Sequence, residues 1–229
     1  MNIHTIILAA GEGTRMNSNR AKSLQTVGGT SMLEKICRTA GKISKDITLI
    51  VGFDKESIIN EANTFTDLNI TTSLQPKPIG TGDAVKCGLD KVSPGSKVLI
   101  LYGDVPLIKK ATLDNLITES SEGASILTTT LDDPFGYGRV KKTESGFATE
   151  IIEEKDADSN EKKIKEVFTG VLCAEKELLE TSLKEVTNNN AANEFYLTDI
   201  VSIMRSKGVN INTCISQNEE VQGANNKKE

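Results

Sequence analysis

The sequence predicts an α/β fold: a mixed, mainly parallel sheet flanked by helices. Continuous apolar runs, the mark of strands buried on both faces, recur through the first half of the chain. Segments of helical spacing lie between them, as the crossovers of a parallel sheet require. After Thr112 to Ser120 the pattern changes, and strand-like runs follow one another with few helices between.

Ile3 to Ala9 is the first apolar strand, and Gly11 and Gly13 punctuate the loop after it. Ser31 reads as a helix N-cap, with Glu34 three residues on as in a capping box. Met32, Leu33, Ile36 and Ala40 then repeat at helical spacing. Ile47 to Val51 is the second strand, Ser57 to Ala62 a helix and Ile70 to Leu74 the third strand. Thr81 to Leu89 reads as a helix with Ala84, Val85 and Leu89 inward, and Val98 to Leu101 as a strand running into Tyr102-Gly103-Asp104. Ser125 to Leu131, Gly138 to Lys142, Phe147 to Glu153 and Lys165 to Cys173 are the later strands, with a polar surface loop from Asp156 to Lys163. Leu197 to Met204 is helical and Val209 to Ile215 is the last strand. There is no internal repeat and no linker, so residues 1–229 are expected to form one domain, with a first half over about 1–110 and a strand-rich second half over about 111–229.

The 229 residues suffice to bury roughly 70% of the surface of the unfolded chain. Hydrophobic residues are 37% and charged residues 26%, an ordinary globular balance. A net charge of −5 argues against nonspecific nucleic-acid binding. No apolar run is long enough for a membrane helix, and Met1 to Ala10 does not read as a secretory signal. Cys37, Cys87, Cys173 and Cys214 are scattered among apolar neighbours, the pattern of free buried thiols in a reducing cytoplasm. His4 is the only histidine, which speaks against histidine acid–base catalysis and histidine metal clusters.

The residues that carry chemistry begin with Leu8-Ala9-Ala10-Gly11-Glu12-Gly13-Thr14-Arg15-Met16, followed by Lys22. A strand feeding a glycine-rich turn offers backbone N–H groups to anionic oxygens. Arg15 and Lys22 add two cations suited to charge growing on a phosphoryl group. A third glycine is missing, so this is not the dinucleotide fingerprint, and no G-K-[ST] of a Walker loop occurs. Asp104 ends a buried parallel strand, where open α/β sheets place ligands, and a hard carboxylate oxygen there suits magnesium. The Gln75 amide can match the edge of a base, and Gly80 lets backbone approach it.

The nine-residue string, with its later lysine, resembles the signature loop of sugar-nucleotide pyrophosphorylases. Further segments extend the likeness to one branch of that family. Leu74 to Gly82 resembles its base-reading loop and Leu101 to Leu107 its metal-binding segment. Asp132 to Arg139 and Ile152 to Asp156 resemble its sugar-site segments, and Asn188 to Ala191, Glu194 to Ile200 and Gly223 to Asn226 complete the set. Together they resemble the uridyltransferase domain of bacterial bifunctional N-acetylglucosamine-1-phosphate uridyltransferase/glucosamine-1-phosphate acetyltransferases, over essentially the whole chain.

The resemblance implies a Rossmann-like, glycosyltransferase-A-like nucleotidyltransferase fold, with Mg2+ as cofactor and UTP and a sugar-1-phosphate as substrates. It implies catalytic roles for Arg15 and Lys22, and a nucleotide site of Leu8, Ala10, Gly11, Gly13, Gln75, Gly80 and Thr81. Tyr102, Gly138, Glu153, Phe168, Glu194 and Tyr196 would serve the sugar, and Asp104 and Asn225 the metal. It gives no membrane or nucleic-acid partner. The alternatives are a related nucleotidyltransferase using another sugar phosphate, a polyol phosphate or CTP, and a noncatalytic nucleotide-sensing domain.

The chain departs from the family pattern in places. Phe168 precedes Thr169-Gly170 where the family has Asn, which predicts weaker or broader sugar recognition. Glu12 stands where a lysine is common. Ala21 precedes Lys22 where proline is usual, which predicts a looser lysine loop. No hexapeptide period of the trimerising acetyltransferase β-helix occurs, so that domain and activity are expected to be absent and the oligomeric state is left open.

Overall fold

The protein was studied as a computed structural model, which describes residues 2–11 and 20–221. Apolar β-branched runs make the central strands β1 (Ile3–Leu8), β4 (Asp46–Val51) and β6 (Lys97–Tyr102), nearly every residue of which is buried. β5 (Asn69–Leu74) is polar and largely exposed because it forms the edge of the sheet. Among the described residues the sheet has nine strands, seven of them in the order β11 (Ile211–Ile215), β7 (Ala124–Thr130), β10 (Glu166–Glu175), β6, β1, β4, β5.

β5, β4, β1 and β6 are mutually parallel, while β10 runs antiparallel to both β6 and β7. β11 closes the other edge parallel to β7. β8 (Arg139–Lys142) and β9 (Ala148–Ile152) form an antiparallel extension from β10. The mixed, mainly parallel reading is therefore correct.

From β1 the chain steps outward to β4 and β5, then returns to β6 on the other side of β1. This reversal opens a crevice between the C-terminal ends of β1 and β6, the position where open α/β sheets bind ligands. Helices cover both faces. One core contains Ile6, Ile100, Leu172 and Met204, the other Ile7, Leu49, Leu99 and Cys173, as alternation along each strand demands.

α1 (Met32–Gly41) starts where expected: the Ser31 hydroxyl oxygen accepts from the Glu34 amide at 2.9 Å. The Glu34 carboxylate pairs with Arg38. α2 (Lys55–Ala62) and α3 (Thr81–Leu89) follow the sequence reading, α3 with the same bounds. α4 (Lys110–Glu119) occupies the segment after which the pattern changes, and α6 (Asp199–Ser206) begins later than the Leu197 start read from the sequence.

Four further elements were not legible in the sequence. β2 (Thr26–Val27) and β3 (Thr30–Ser31) form a hairpin too short to show a period, turned by Gly28 and Gly29 at positive φ. α5 (Lys176–Leu183) buries only a narrow stripe, including Leu179 and Leu183, and α7 (Asn218–Val221) is a single turn. Cys37, Cys173 and Cys214 are buried free thiols and Cys87 is partly buried. His4 is buried with Nε2 2.8 Å from the Thr48 hydroxyl, a structural contact.

Candidate active site

The crevice at the β1/β6 reversal holds a cavity of about 380 Å³. The run after β1 enters it because the chain leaves the sheet there: Ala9 donates to Ile50 O at 2.9 Å, and Ala10 O accepts from Phe53. Leu8, Ala10 and Gly11 line one wall. Tyr102, Gly103 and Asp104 leave β6 alongside, held by the Gly103 amide donating to Leu8 O. Gln75, Gly80 and Thr81 form the opposite side, and Lys22 and Glu194 complete the lining among the sequence-predicted residues.

Lys22 and Asp104, far apart in the chain, meet there: Lys22 Nζ lies 2.5 Å from Asp104 Oδ2. The two side chains are 14% and 26% exposed, so the pair faces the cavity while remaining partly shielded from water. Lys22 opens a 3-10 turn, Lys22–Leu24. The preceding Ala21 has φ −51°, which a proline could also adopt, but its amide donates to Asp54 Oδ2 at 2.9 Å. Proline has no such donor. Ala21 is thus held by a hydrogen bond that a proline at this position could not make. Ser23, next in the chain, also reaches the cavity, and its buried hydroxyl has no hydrogen-bond partner among the described residues.

Gln75 closes β5 and is 6% exposed. Its Nε2 donates to Gly80 O at 3.0 Å and to Asp83 Oδ2 at 2.9 Å. A strap around Phe195 lies against this loop. Phe195 donates to Ile79 O, Gly82 donates to Phe195 O, and Leu197 donates to the Thr81 hydroxyl oxygen. Asn190 closes the strap by bonding both the amide and the carbonyl of Glu194.

The sugar-assigned residues divide. Tyr102 and Glu194 line the cavity; Gly138, Glu153, Phe168 and Tyr196 do not. Tyr102 stacks against Gly170, where a Cβ would come within 2.7 Å of the ring, and hydrogen-bonds Thr81. Burial chiefly pushes its hydroxyl well above the usual range, reinforced by the charges of Glu153 and Asp104. Glu153 accepts from the Thr198 hydroxyl at 2.9 Å, and burial first, then Asp199, Asp156 and Glu194, raises its carboxyl. A Cβ on Gly138 would meet Ile151 Cγ2 at 2.8 Å and the Glu153 carboxylate at 3.7 Å. Tyr196 is pushed up to about 12 by burial and by Asp156, Glu153 and Glu194. These residues form an acidic shelf beside the cavity.

Phe168, assigned to the sugar by the resemblance, packs inside the fold. It is 6% exposed and belongs to the apolar cluster that includes Ile126, Val140, Ile151 and Leu197. Its ring is core, placed there because β10 alternates Phe168, through a bulge, with Leu172 and Ala174 on one face. Phe168→Asn is accordingly expected to destabilise the fold by about 3–5 kcal/mol, since it removes a buried ring and strands an amide. A thermal midpoint unchanged within 2 °C, or a lowered Michaelis constant for N-acetylglucosamine-1-phosphate in the folded variant, would favour a sugar-site role for Phe168 over a packing role.

Gly13, Arg15 and Asn225 lie outside the described residues. Among the described residues no group of three or more His, Cys, Asp and Glu side chains is arranged to hold a metal, and no helix is long and apolar enough to cross a membrane. The sequence reading did not single out Asp83, Thr198 and Ser23: Asp83 and Thr198 act through the tertiary neighbours Gln75 and Glu153, Ser23 lines the cavity directly, and none has a local signature.

Fold and site together define a nucleotidyltransferase. Residues 5–192 match the model of the MobA-like NTP transferase domain, and the chain belongs to that family. It is 41% identical over 227 residues to the bifunctional protein GlmU of Psychrobacter sp. (strain PRwf-1), covering 98% of this chain and 49% of that protein. The GlmU of Francisella tularensis subsp. novicida is 40% identical over 230 residues, covering 99% and 50%. The chain thus spans about half the length of the curated relatives it matches. A Bacillus anthracis crystal structure assigned as a glucose-1-phosphate thymidylyltransferase superposes with a TM-score of 0.78 at 21% identity, covering 99% of this chain and 91% of that one, a likeness of fold.

Proposed function

We propose that this chain transfers uridylate from UTP to N-acetylglucosamine-1-phosphate, giving UDP-N-acetylglucosamine and pyrophosphate in a magnesium-dependent reaction. The observation that carries the reading is the pairing of Lys22 with Asp104 at the sheet reversal, facing the Gln75–Thr81 loop across one cavity. The family membership and the resemblance to the uridyltransferases support it. Residues 1–110 would hold the nucleotide and residues 111–229 the sugar, in a cytoplasmic setting.

A sugar-1-phosphate oxygen attacks the α-phosphorus of UTP. One P–O bond forms there as the bond to the β-phosphate breaks, and pyrophosphate leaves in line. The nucleophile is already an anion, so no general base is needed, in keeping with a lone histidine committed to Thr48. Lys22, with Arg15, stabilises charge on the phosphoryl group. Gly11 offers its backbone N–H to the phosphates, a role the family resemblance extends to Gly13. Tyr102, tied to Thr81 and braced by Gly170, separates nucleotide from sugar, and the Glu153 shelf accepts from sugar hydroxyls.

The donor set suits magnesium, which usually takes only one or two protein oxygens together with water and substrate phosphate. Asp104 presents one such oxygen at the cavity beside a cation that already satisfies its charge. Asp104 and Asn225 would hold the ion, which when bound neutralises the triphosphate. Pyrophosphate release measured with a panel of sugar-1-phosphates and the four nucleoside triphosphates should be fastest with UTP and N-acetylglucosamine-1-phosphate. A faster pair would replace the substrate assignment, and release with none would return the chain to a nucleotide-sensing role.

A further inference from the structure

Resting on the uridine reading above, we infer that Asp83 is a positioning residue that sets base choice by locking Gln75 with its carbonyl oxygen toward the base. A glutamine amide can present either a donor or an acceptor, and a 180° turn about its last bond exchanges them. Here the environment decides. Both neighbours of the Gln75 amide, the Gly80 carbonyl at 3.0 Å and the Asp83 carboxylate at 2.9 Å, can only accept. An ionised carboxylate has no proton to give, so turning the amide would set Oε1 against two acceptors. The nitrogen thus spends both protons inside the protein, and Oε1 is the polar atom left for a ligand.

The lock is itself fixed by the fold. Gln75 is nearly buried at the end of β5, and its amide N–H donates to Val51 O at 2.8 Å. Asp83 stands in the first turn of α3, where a carboxylate is favoured by the unpaired N–H groups. The left-handed Gly80, at φ 128°, turns its carbonyl back toward Gln75. Both Gln75 and Gly80 line the cavity, while Asp83 stands behind them.

An acceptor held opposite N3 of a pyrimidine meets the N3–H of uracil but the N3 lone pair of cytosine. Gln75 then discriminates only as well as Asp83 prevents it from turning. In Asp83→Asn the new side chain can donate to Oε1, and in Asp83→Ala one of the two opposing acceptors is gone. Either change lets the amide offer N–H to cytosine.

The test compares kcat/KM for UTP and CTP, by pyrophosphate release, in the parent, Asp83→Asn and Asp83→Ala, together with 3-methyl-UTP in the parent. The expected result is at least a fivefold fall in the UTP-to-CTP ratio in each variant, with part of the fall coming from faster use of CTP. In the parent, 3-methyl-UTP, which lacks the donor, is expected to be at least tenfold poorer than UTP. A merely structural Asp83 would lower both nucleotides together and leave the ratio unchanged. A parent that prefers UTP, with both variants keeping its ratio within twofold, would overturn the role of Asp83 alone. Equal use of UTP and CTP by the parent would overturn the uridine reading and the lock with it.

Discussion

Asp104→Ala is expected to lower turnover by at least 100-fold, a loss of about 2.7 kcal/mol of transition-state stabilisation. Two effects combine in that number. Asp104 holds the Lys22 ammonium at 2.5 Å in a partly buried pair, and in the proposed reaction it also supplies a magnesium oxygen. Removing it frees the lysine from its fixed position and weakens the metal site in a single step. Lys22→Ala is expected to slow single-turnover chemistry more than it weakens UTP binding, because its charge matters most as negative charge moves to the leaving group. If the residues act as a unit, the double variant should lose less than the product of the two single losses. Asp104→Ala turnover within twofold of the parent at saturating magnesium would remove Asp104 from the mechanism. A pure UTP-binding defect in Lys22→Ala would make the lysine a docking group.

Gly80→Ala is expected to damage the site through the backbone. Gly80 has φ 128° and ψ 164°, a region that side chains rarely enter and that costs about 1–3 kcal/mol for a residue with a Cβ. The added carbon would also lie 2.3 Å from Phe195 O and 2.5 Å from Phe195 N, and backbone cannot swing aside as a side chain can. Overpacking of this kind costs roughly a further 1–3 kcal/mol. For a chain of this size, the sum corresponds to a fall in thermal midpoint of about 5–20 °C. The alternative escape is displacement of the Phe195 strap, which would also take Glu194 away from the cavity and let Gln75 lose its Gly80 acceptor. Gly82→Ala makes the milder comparison, since its nearest contact is 3.0 Å. A Gly80→Ala protein with a parental midpoint and parental UTP preference would show that the strap and loop are not packed as described.

The legible part of the site is the part written in contiguous residues. Leu8 to Gly11, Gln75, Gly80, Thr81, Tyr102 and Asp104 sit at strand ends and the turns after them, and the structure gathers all of them on one cavity. Their places at strand ends follow from strand periodicity and glycine punctuation, which are local properties, while the assignment of Leu8, Ala10, Thr81 and Tyr102 to the site rests on the family resemblance. Lys22 also reached the cavity, but its partner could not be read, because no local pattern connects residues 22 and 104. Phe168 shows the opposite limit. Its sequence neighbours matched a sugar-binding segment, yet the face its ring takes is set across the bulge between Phe168 and Leu172, where it packs with Ile126, Val140 and Ile151.

By itself the sequence determined the α/β class, the order of most strands and helices, and the strand ends that bear the chemistry. These follow from hydrophobic period, caps and turn residues, each set by a few neighbouring side chains. The tertiary structure alone decided the strand order with its reversal at β1 and β6, the insertion of β10 as the antiparallel member, and the strap that presses Phe195 on Gly80. It alone decided that Ala21 is held by Asp54 and that Asp83 holds the Gln75 amide. The physical reason is range. Backbone periodicity is a property of adjacent residues, whereas a buried donor finds its acceptor wherever packing of the whole chain brings one within about 3 Å.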